Sequence, residues 1–424
     1  MPLLSPRLTR RPAARPVAPD RRAVLAITVI LATLTTTAAS AVIAATADTT
    51  ARPRVGLALS GGGARGIAHI GVIQALEQAG VPIDVVAGTS MGSIVGGLYA
   101  AGYSGEEMAA IVAGTDWDQV LASGSQPAAS MRQRRGVAPA LVTLPYRFWD
   151  VDLPSGLVNT QRAYETLQRH LVAADYAAGG DFDRLAIPYR ALAVDLVDGD
   201  RVVLKGGGLA RAIQASIAIP LVFDPVSSGG IQLVDGGVLE VLPTRTVQAM
   251  GCDVVIAVEL SRLAELGDPA DSIVDVGLHT FEIMTRQQKQ GALDAADVVI
   301  LPDIGRHDTM AFSGLDSLIA IGRRAGRRGL DRVAEVLPRR YWTGDARRPL
   351  DRRALAHARV VAVDVAGGQA VGDAVVRAEF GIRPGDRFAP ERVLEGVRRV
   401  HATGFFENVW LEVERPAPAE VALT

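Results

Sequence analysis

Residues 55–92 read VGLALSGGGARGIAHIGVIQALEQAGVPIDVVAGTSMG, and the alternation of apolar and glycine-rich pieces in this stretch decides the fold. VGLALS (55–60) has the length and apolarity of a strand, and IAHIGVIQALEQAG (67–80) spaces its apolar residues as a helix does and ends in glycine. VPIDVVAG (81–88) reads as the next strand and SIVGGLYAAGYS (93–104) as the next helix. Parallel strands joined by a right-handed helical crossover bring their C-terminal ends to one edge of the sheet. GGGARG (61–66) follows the first strand and GTSMG (88–92) the second, so both turns open at the edge where open α/β sheets bind ligands.

Further strand candidates are YRALAVDLV (189–197), RVVL (201–204), IQLVD (231–235), DVVIAVEL (253–260) and DVVILP (297–302), with helical stretches between many of them. That pattern predicts an α/β fold with a mainly parallel sheet covered on both faces. The hydrophobic share of 49% supplies a large core, and a net charge of −2 gives no global field that would favour nucleic acid. Cys252 is the single cysteine, which excludes an intramolecular disulfide, and its setting in AMGCDVVIAVEL predicts a buried, structural thiol. No cluster of His, Cys and carboxylates has metal-ligand spacing, so neither a metal nor another cofactor is expected.

Gly-x-Ser-x-Gly alone is a weak signal in a glycine-rich chain, and its context carries the weight. On a tight strand-to-helix turn, Gly88 and Gly92 leave room on either side of Ser90, and the turn lifts the hydroxyl clear of the backbone. A helix starting near Ser93 puts the positive end of its dipole under that hydroxyl. Gly61, Gly62 and Gly63 let backbone N–H groups face an oxyanion without side-chain obstruction. Arg65 reads equally as a brace for this loop, a phosphate contact or a surface cation. Gly61-x-Gly63-x-x-Gly66 also fits a dinucleotide fingerprint, with Asp84 at about the expected spacing. That acid belongs at the far end of the second strand. Asp84 stands near its start, which counts against nucleotide binding.

A nucleophilic serine needs a base. The histidines are 69, 170, 279, 307, 357 and 401, and none lies in a loop with the glycines or acids of a triad turn. Asp235, in IQLVDGGVLEVLPT, ends a strand and is followed by Gly236 and Gly237. If that strand runs parallel to the others, its carboxylate opens at the edge of Ser90. Asp-Gly-Gly by itself reads as readily as a hairpin turn.

Residues 54–304 resemble the bacterial patatin-like phospholipases, with four motifs in the family's order: GGGARG (61–66), GTSMG (88–92), QASIAIPLVFDPV (214–226) and DGG (235–237). The resemblance implies a three-layer α/β/α fold and a histidine-free dyad of Ser90 as nucleophile and Asp235 as proton acceptor. It also implies an oxyanion hole within Gly61, Gly62, Gly63, Ala64, Arg65 and Gly66. The activity implied is calcium-independent hydrolysis of acyl esters in phospholipids or lysophospholipids at a membrane surface. In SIAIP, the apolar residues and Pro220 are expected to shape the wall of the site, with Ser216 not a second catalytic hydroxyl. A non-catalytic lipid-binding scaffold, a Ser-His-Asp esterase and a transacylase are the competing readings.

The remaining chain organises around this domain, taken as 54–335. Residues 1–47 combine an arginine-rich start with an uncharged run from Ala23 to Ala47 that ends in small residues, which describes an export signal with an uncleaved anchor as the alternative. The protein is therefore expected to be exported, to the periplasm, the outer membrane or the medium. Residues 115–160 are irregular and rich in aromatic and cationic groups, readable as a lipid-touching lid or as a packed insertion. Stretch 323–359 holds twelve arginines against four acids, and 336–356 is expected to be a basic linker, solvated or attracted to anionic lipid. Residues 357–415 resemble a POTRA module in GIRPGDRFAPERVLEGVRRVHATGFFENVWLEV. That resemblance implies an outer-membrane protein partner met by strand addition. RPAPAEVALT, after the last clear strand, leaves the module's final strand short or missing, and a following membrane barrel is not expected.

Overall fold

Strands β1 (Val55–Leu59) and β2 (Val85–Thr89) are buried at every residue, which suits only the middle of a sheet covered on both sides. The computed structural model describes residues 52–424 apart from 122–145, 148–149, 152–155, 159, 229, 261–272, 306, 345 and 368–370. The expected export signal, residues 1–47, lies outside the described residues, as does most of the stretch 115–160. Among the described residues, no helix is long and apolar enough to cross a membrane.

Helix α1 (Ala68–Ala79) joins β1 to β2, and α2 (Met91–Ala100) follows β2. The chain continues through α3 (Gly105–Gly114), α4 (Trp117–Leu121) and α5 (Gln161–Ala178) to β3 (Tyr189–Asp195) and β4 (Arg201–Leu204). Next come α6 (Leu209–Ser216), β5 (Val226–Ser228), β6 (Ile231–Asp235) and α7 (Thr244–Ala249). β7 (Val254–Val258), α8 (Ile273–Asp294), β8 (Val298–Ile300) and α9 (Leu315–Val336) complete the domain. The sheet order is β8-β7-β1-β2-β3-β6-β5, with β4 also bonded to β3. Side chains alternate across it: Leu57 and Leu59 enter a core with α1, α2 and α9, and Ala58 enters a second core with Val247 of α7 and Leu293 of α8. The result is a three-layer α/β/α domain.

The five strands from β8 to β3 are parallel, but β6 is antiparallel to β3. The condition set for Asp235, a strand parallel to the others, is therefore not met. Five residues carry no local mark of direction, and the short β5–β6 hairpin reverses the chain just before β6. Register shows how β6 nevertheless reaches the right place. β2 pairs with β3 up to Thr89↔Leu192, and β6 takes over at Asp235↔Ala193. β4 already occupies the other side of β3 at Ala191–Val194. β6 therefore lies on the β2 side, continuing the line of β2 from the opposite direction. The two strands meet tip to tip.

The C-terminal region runs β9 (Arg359–Val363), α10 (Asp373–Phe380), α11 (Pro390–Ala402), β10 (Val413–Glu414) and β11 (Glu420–Leu423). The tail expected to hold a short or missing strand carries a short one of four residues, and it is the central strand, since the sheet order is β9-β11-β10. Val421 and Leu423 alternate inward from β11, a period too short to stand out after two prolines. The basic linker is tied to the α/β domain: Arg347 pairs with Glu77 at 3.5 Å, Arg352 with Glu107 at 3.5 Å, and Arg352 lies 4.2 Å over the Tyr103 ring.

Candidate active site

Ser90 stands between β2 and α2 with φ 54° and ψ −126°, a left-handed conformation uncommon for any residue but glycine. The flanking glycines are required by close approach. A Cβ on Gly88 would fall 2.2 Å from the Gly92 carbonyl oxygen, and one on Gly92 would fall 2.3 Å from that of Leu59. The strained turn is held at both ends. The Ser90 carbonyl accepts from the Ser93 N–H at 2.8 Å and the Ser93 hydroxyl at 2.6 Å. The Ser90 N–H donates to the Ser216 hydroxyl oxygen at 3.1 Å.

Asp235 reaches the same point from the tip of β6. Its N–H donates to the Ala218 carbonyl at 2.9 Å, and its Oδ1 accepts the Gly237 N–H at 2.7 Å. The residue is fully buried, and among the described residues its Oδ2 makes no hydrogen bond of ordinary geometry. Burial pushes the carboxyl up to about 7, against the opposing pull of the Gly237 N–H and the Ser90 hydroxyl. The Ser90 hydroxyl is thus near enough to the carboxyl to lower it by hydrogen bonding. Among the described residues, no histidine hydrogen-bonds either group. His69 is buried against the Ser60 carbonyl at 2.9 Å, and burial lowers it to about 4, so it sits neutral under the glycine loop. Cys252 is half-buried, its thiol pushed up to about 12 by desolvation, so it is no reactive thiolate.

The glycine loop commits some of its amides to structure and leaves others open. The Gly61 N–H is spent on the Val241 carbonyl at 3.0 Å and the Ala64 N–H on that of Thr309 at 2.7 Å. Among the described residues the amides of Gly62 and Gly63 have no acceptor. Arg65 donates through Nε to the His307 carbonyl at 2.7 Å, which makes it a brace of this loop. Gly63 and Ser90 open into an apolar cavity of about 60 Å³, walled by Ile217 and Ile219 and closed by Trp117 and Phe312. The two rings stack with centroids 4.7 Å apart. Pro220 is not among the cavity's lining residues. Sequence reasoning missed the 307–312 segment, which lies in irregular chain, and it missed what the Ser216 hydroxyl holds.

The family profile described as patatin-like phospholipase matches residues 57–247, and POTRA, described as surface antigen variable number repeat, matches 358–424. An uncharacterised NTE family protein of Mycobacterium tuberculosis is 36% identical over 235 residues, 55% of this chain and 56% of that protein. The chain thus spans little more than half the length of such relatives. Lysophospholipase NTE1 of Saccharomyces cerevisiae is 30% identical over 208 residues, 49% of this chain and 11% of the yeast protein. The crystal structure of VipD from Legionella pneumophila aligns with a TM-score of 0.40 at 17% identity, over 68% of this chain and 67% of that one. Ser90, the glycine loop and Asp235 all fall within residues 57–247, the stretch similar to patatin-like phospholipases, and residues 358–424 are similar to the POTRA family.

Proposed function

We propose that this chain is a serine lipid acyl hydrolase acting on phospholipids or lysophospholipids through a Ser90–Asp235 dyad. The observation that supports the reading is the tip-to-tip register of β2 and β6, which brings the desolvated Asp235 carboxyl, one oxygen of which has no ordinary hydrogen bond among the described residues, to the strained turn of Ser90. A carboxyl raised to about 7 is a far better proton acceptor than an exposed aspartate. In the reaction the Ser90 Oγ–H proton passes to Asp235 Oδ2 while Oγ bonds to the acyl carbonyl carbon. The carbonyl oxygen, now an oxyanion, accepts the free N–H groups of Gly62 and Gly63. Collapse breaks the ester C–O bond, the leaving alkoxide takes the proton back from Asp235, and an acyl-enzyme remains. Water then gives its proton to Asp235, its oxygen attacks the acyl carbon, and Ser90 departs with that proton as the fatty acid is released.

The apolar cavity beside Ser90, of about 60 Å³, suits the first few carbons of an acyl group next to the ester, and the lysophospholipase activity in the yeast relative's name agrees with this substrate class. The arginine-rich start and uncharged run of residues 1–47 support export, and the POTRA domain supports a site of action in the periplasm or at the outer membrane with a protein partner there. The test is mass spectrometry of products from mixed phospholipids, run beside fluorophosphonate labelling. Fatty acid released by the intact protein and not by Ser90→Ala, with label on Ser90, is the expected result. No fatty acid and no label would defeat the reading in favour of a lipid-binding scaffold.

A further inference from the structure

Residues 409–411 of the POTRA domain do not continue its sheet; their main chain is read by buried side chains of α5. Gln161 closes a two-way amide pair with Val409, donating to its carbonyl at 2.9 Å and accepting its N–H at 3.0 Å. The Tyr164 hydroxyl accepts the Leu411 N–H at 2.6 Å, and Gln168 donates to the Leu411 carbonyl at 3.1 Å. Spacings of three and four residues put these groups on one helix face. The module is therefore keyed to the α/β domain in a fixed register, and Trp410, between the two clamped residues, is delivered to α6.

There the Trp410 indole N–H donates to Gln214 Oε1 at 2.7 Å, and Arg211 covers the ring at 4.4 Å. Gln214 is fully buried, and its other end donates to the Thr160 hydroxyl at 2.7 Å. Two residues further on, α6 ends at Ser216. The hydroxyl of Ser216 accepts the Ser90 N–H and the carbonyl of Ala218 accepts the Asp235 N–H. One short segment, 216–218, thus carries the backbone of both dyad residues, and the helix leading into it is fixed by the other domain.

We infer that Trp410 is a positioning residue of the active site: by holding Gln214 it seats the end of α6 on which Ser90 and Asp235 are aligned. The POTRA domain is then part of the catalytic frame and not only a recruitment arm, and anything that pulls residues 409–411 away from α5 and α6 lowers turnover. The catalytic consequence rests on the hydrolase reading above, while the mechanical link stands apart from it.

The experiment uses the full chain with Trp410→Phe, which keeps a smaller aromatic ring under Arg211 and removes the indole donor, and Gln214→Met, which at similar volume removes both the acceptor for Trp410 and the donor to Thr160. Three quantities are read: kcat and KM on a soluble p-nitrophenyl ester, the rate of fluorophosphonate labelling of Ser90, and hydrogen exchange in peptides covering 86–95 and 214–236. Each variant should lower kcat and the labelling rate together by about tenfold, since a change of about 1.4 kcal/mol in the barrier corresponds to that factor. KM should stay within a factor of two, and the double variant should be no worse than the worse single one. Exchange should rise in both peptides and remain unchanged in β9 and β11. Unchanged kcat and labelling with unchanged exchange would overturn the inference, as would an effect confined to KM. If Ser90 takes no label even in the parent chain, the hydrolase reading fails by itself. The exchange measurement then still decides the link: increased exchange near Ser90 in Trp410→Phe upholds it, and none refutes it.

Discussion

Asp175, in the last turn of α5, and Asp235, at the tip of β6, are perturbed in the same way. Both are nearly or wholly inaccessible, and burial pushes their carboxyls up, to about 8 and about 7 respectively. What separates them is where their oxygens go. Asp175 turns both onto the Leu209 N–H, at 3.0 and 2.9 Å, and so caps the start of α6. Asp235 gives one oxygen to the Gly237 N–H, and its other oxygen, without an ordinary hydrogen bond among the described residues, belongs to a carboxyl that the Ser90 hydroxyl lowers. A raised pKa reports desolvation in both cases, and on the proposed mechanism only a lone pair next to the serine hydroxyl would turn desolvation into chemistry. The two groups are also tied to opposite ends of one helix, because the segment after α6 holds the Ser90 and Asp235 backbones.

The strongest way to break this contrast is to remove the proposed dyad. Ser90→Ala and Asp235→Asn should each lower kcat/KM on a phospholipid by at least about 10³-fold, because groups acting as a unit fail together. Asp175→Asn should leave it within about threefold, since an amide oxygen can still accept the Leu209 N–H. Comparable losses at 175 and 235 would mean that both carboxyls act structurally. Next in size is the glycine loop. Gly63 has φ +54°, and a Cβ there would stand 2.3 Å from the Thr309 carbonyl oxygen. Gly63→Ala should therefore displace the free amides and cost about 10²–10³ in kcat, the usual loss of an oxyanion donor. The pH profile sharpens the contrast further. Asp235 must be ionised to accept a proton, so kcat/KM should fall about tenfold per pH step below its pKa of about 7. The same profile is expected in Asp175→Asn. A break near 4 would mean an aspartate that is hydrated when it works.

The half of the site that the sequence reveals is the half built from neighbours. Val55 to Gly92 contains the strand, the glycine loop, the crossover helix and the elbow in one local run, and each piece has its own periodicity or glycine signature. Asp235 was legible as a residue and not as a geometry, because the direction of a five-residue strand depends on the hairpin before it and on the free side of β3. The supports were illegible for a stronger reason. Ser216 and Ser90 are 126 residues apart, and Gln214 and Trp410 are 196 apart. Serine at a helix end and tryptophan near a strand are ordinary in composition; only the folded chain makes them neighbours. The tail strand Glu420–Leu423 was hidden differently, by two prolines and a run of only four residues.

The smallest effect isolates burial from chemistry, and it falls on Asp175. In the unfolded chain its carboxyl titrates near 3.8, whereas in the folded protein burial, with Glu412 adding like charge against the pull of the Leu209 N–H, raises it to about 8. Between these values the native state holds a proton that the unfolded state has released, so stability is greatest below the lower pKa and declines as pH rises toward the upper one. In Asp175→Asn the amide cannot ionise, and its side-chain oxygen still caps α6. Melting curves at pH 5 and pH 8 should therefore show a steeper fall in Tm for the parent chain than for Asp175→Asn. Even a tenfold preference for the protonated form is worth about 1.4 kcal/mol, so the difference should reach about 2 °C in a domain of this size. Asp235 contributes a slope of the same sign in both proteins and cancels from the difference. Equal slopes would mean that Asp175 is ionised in the folded chain, balanced by charge, and that burial is not what the two carboxyls share.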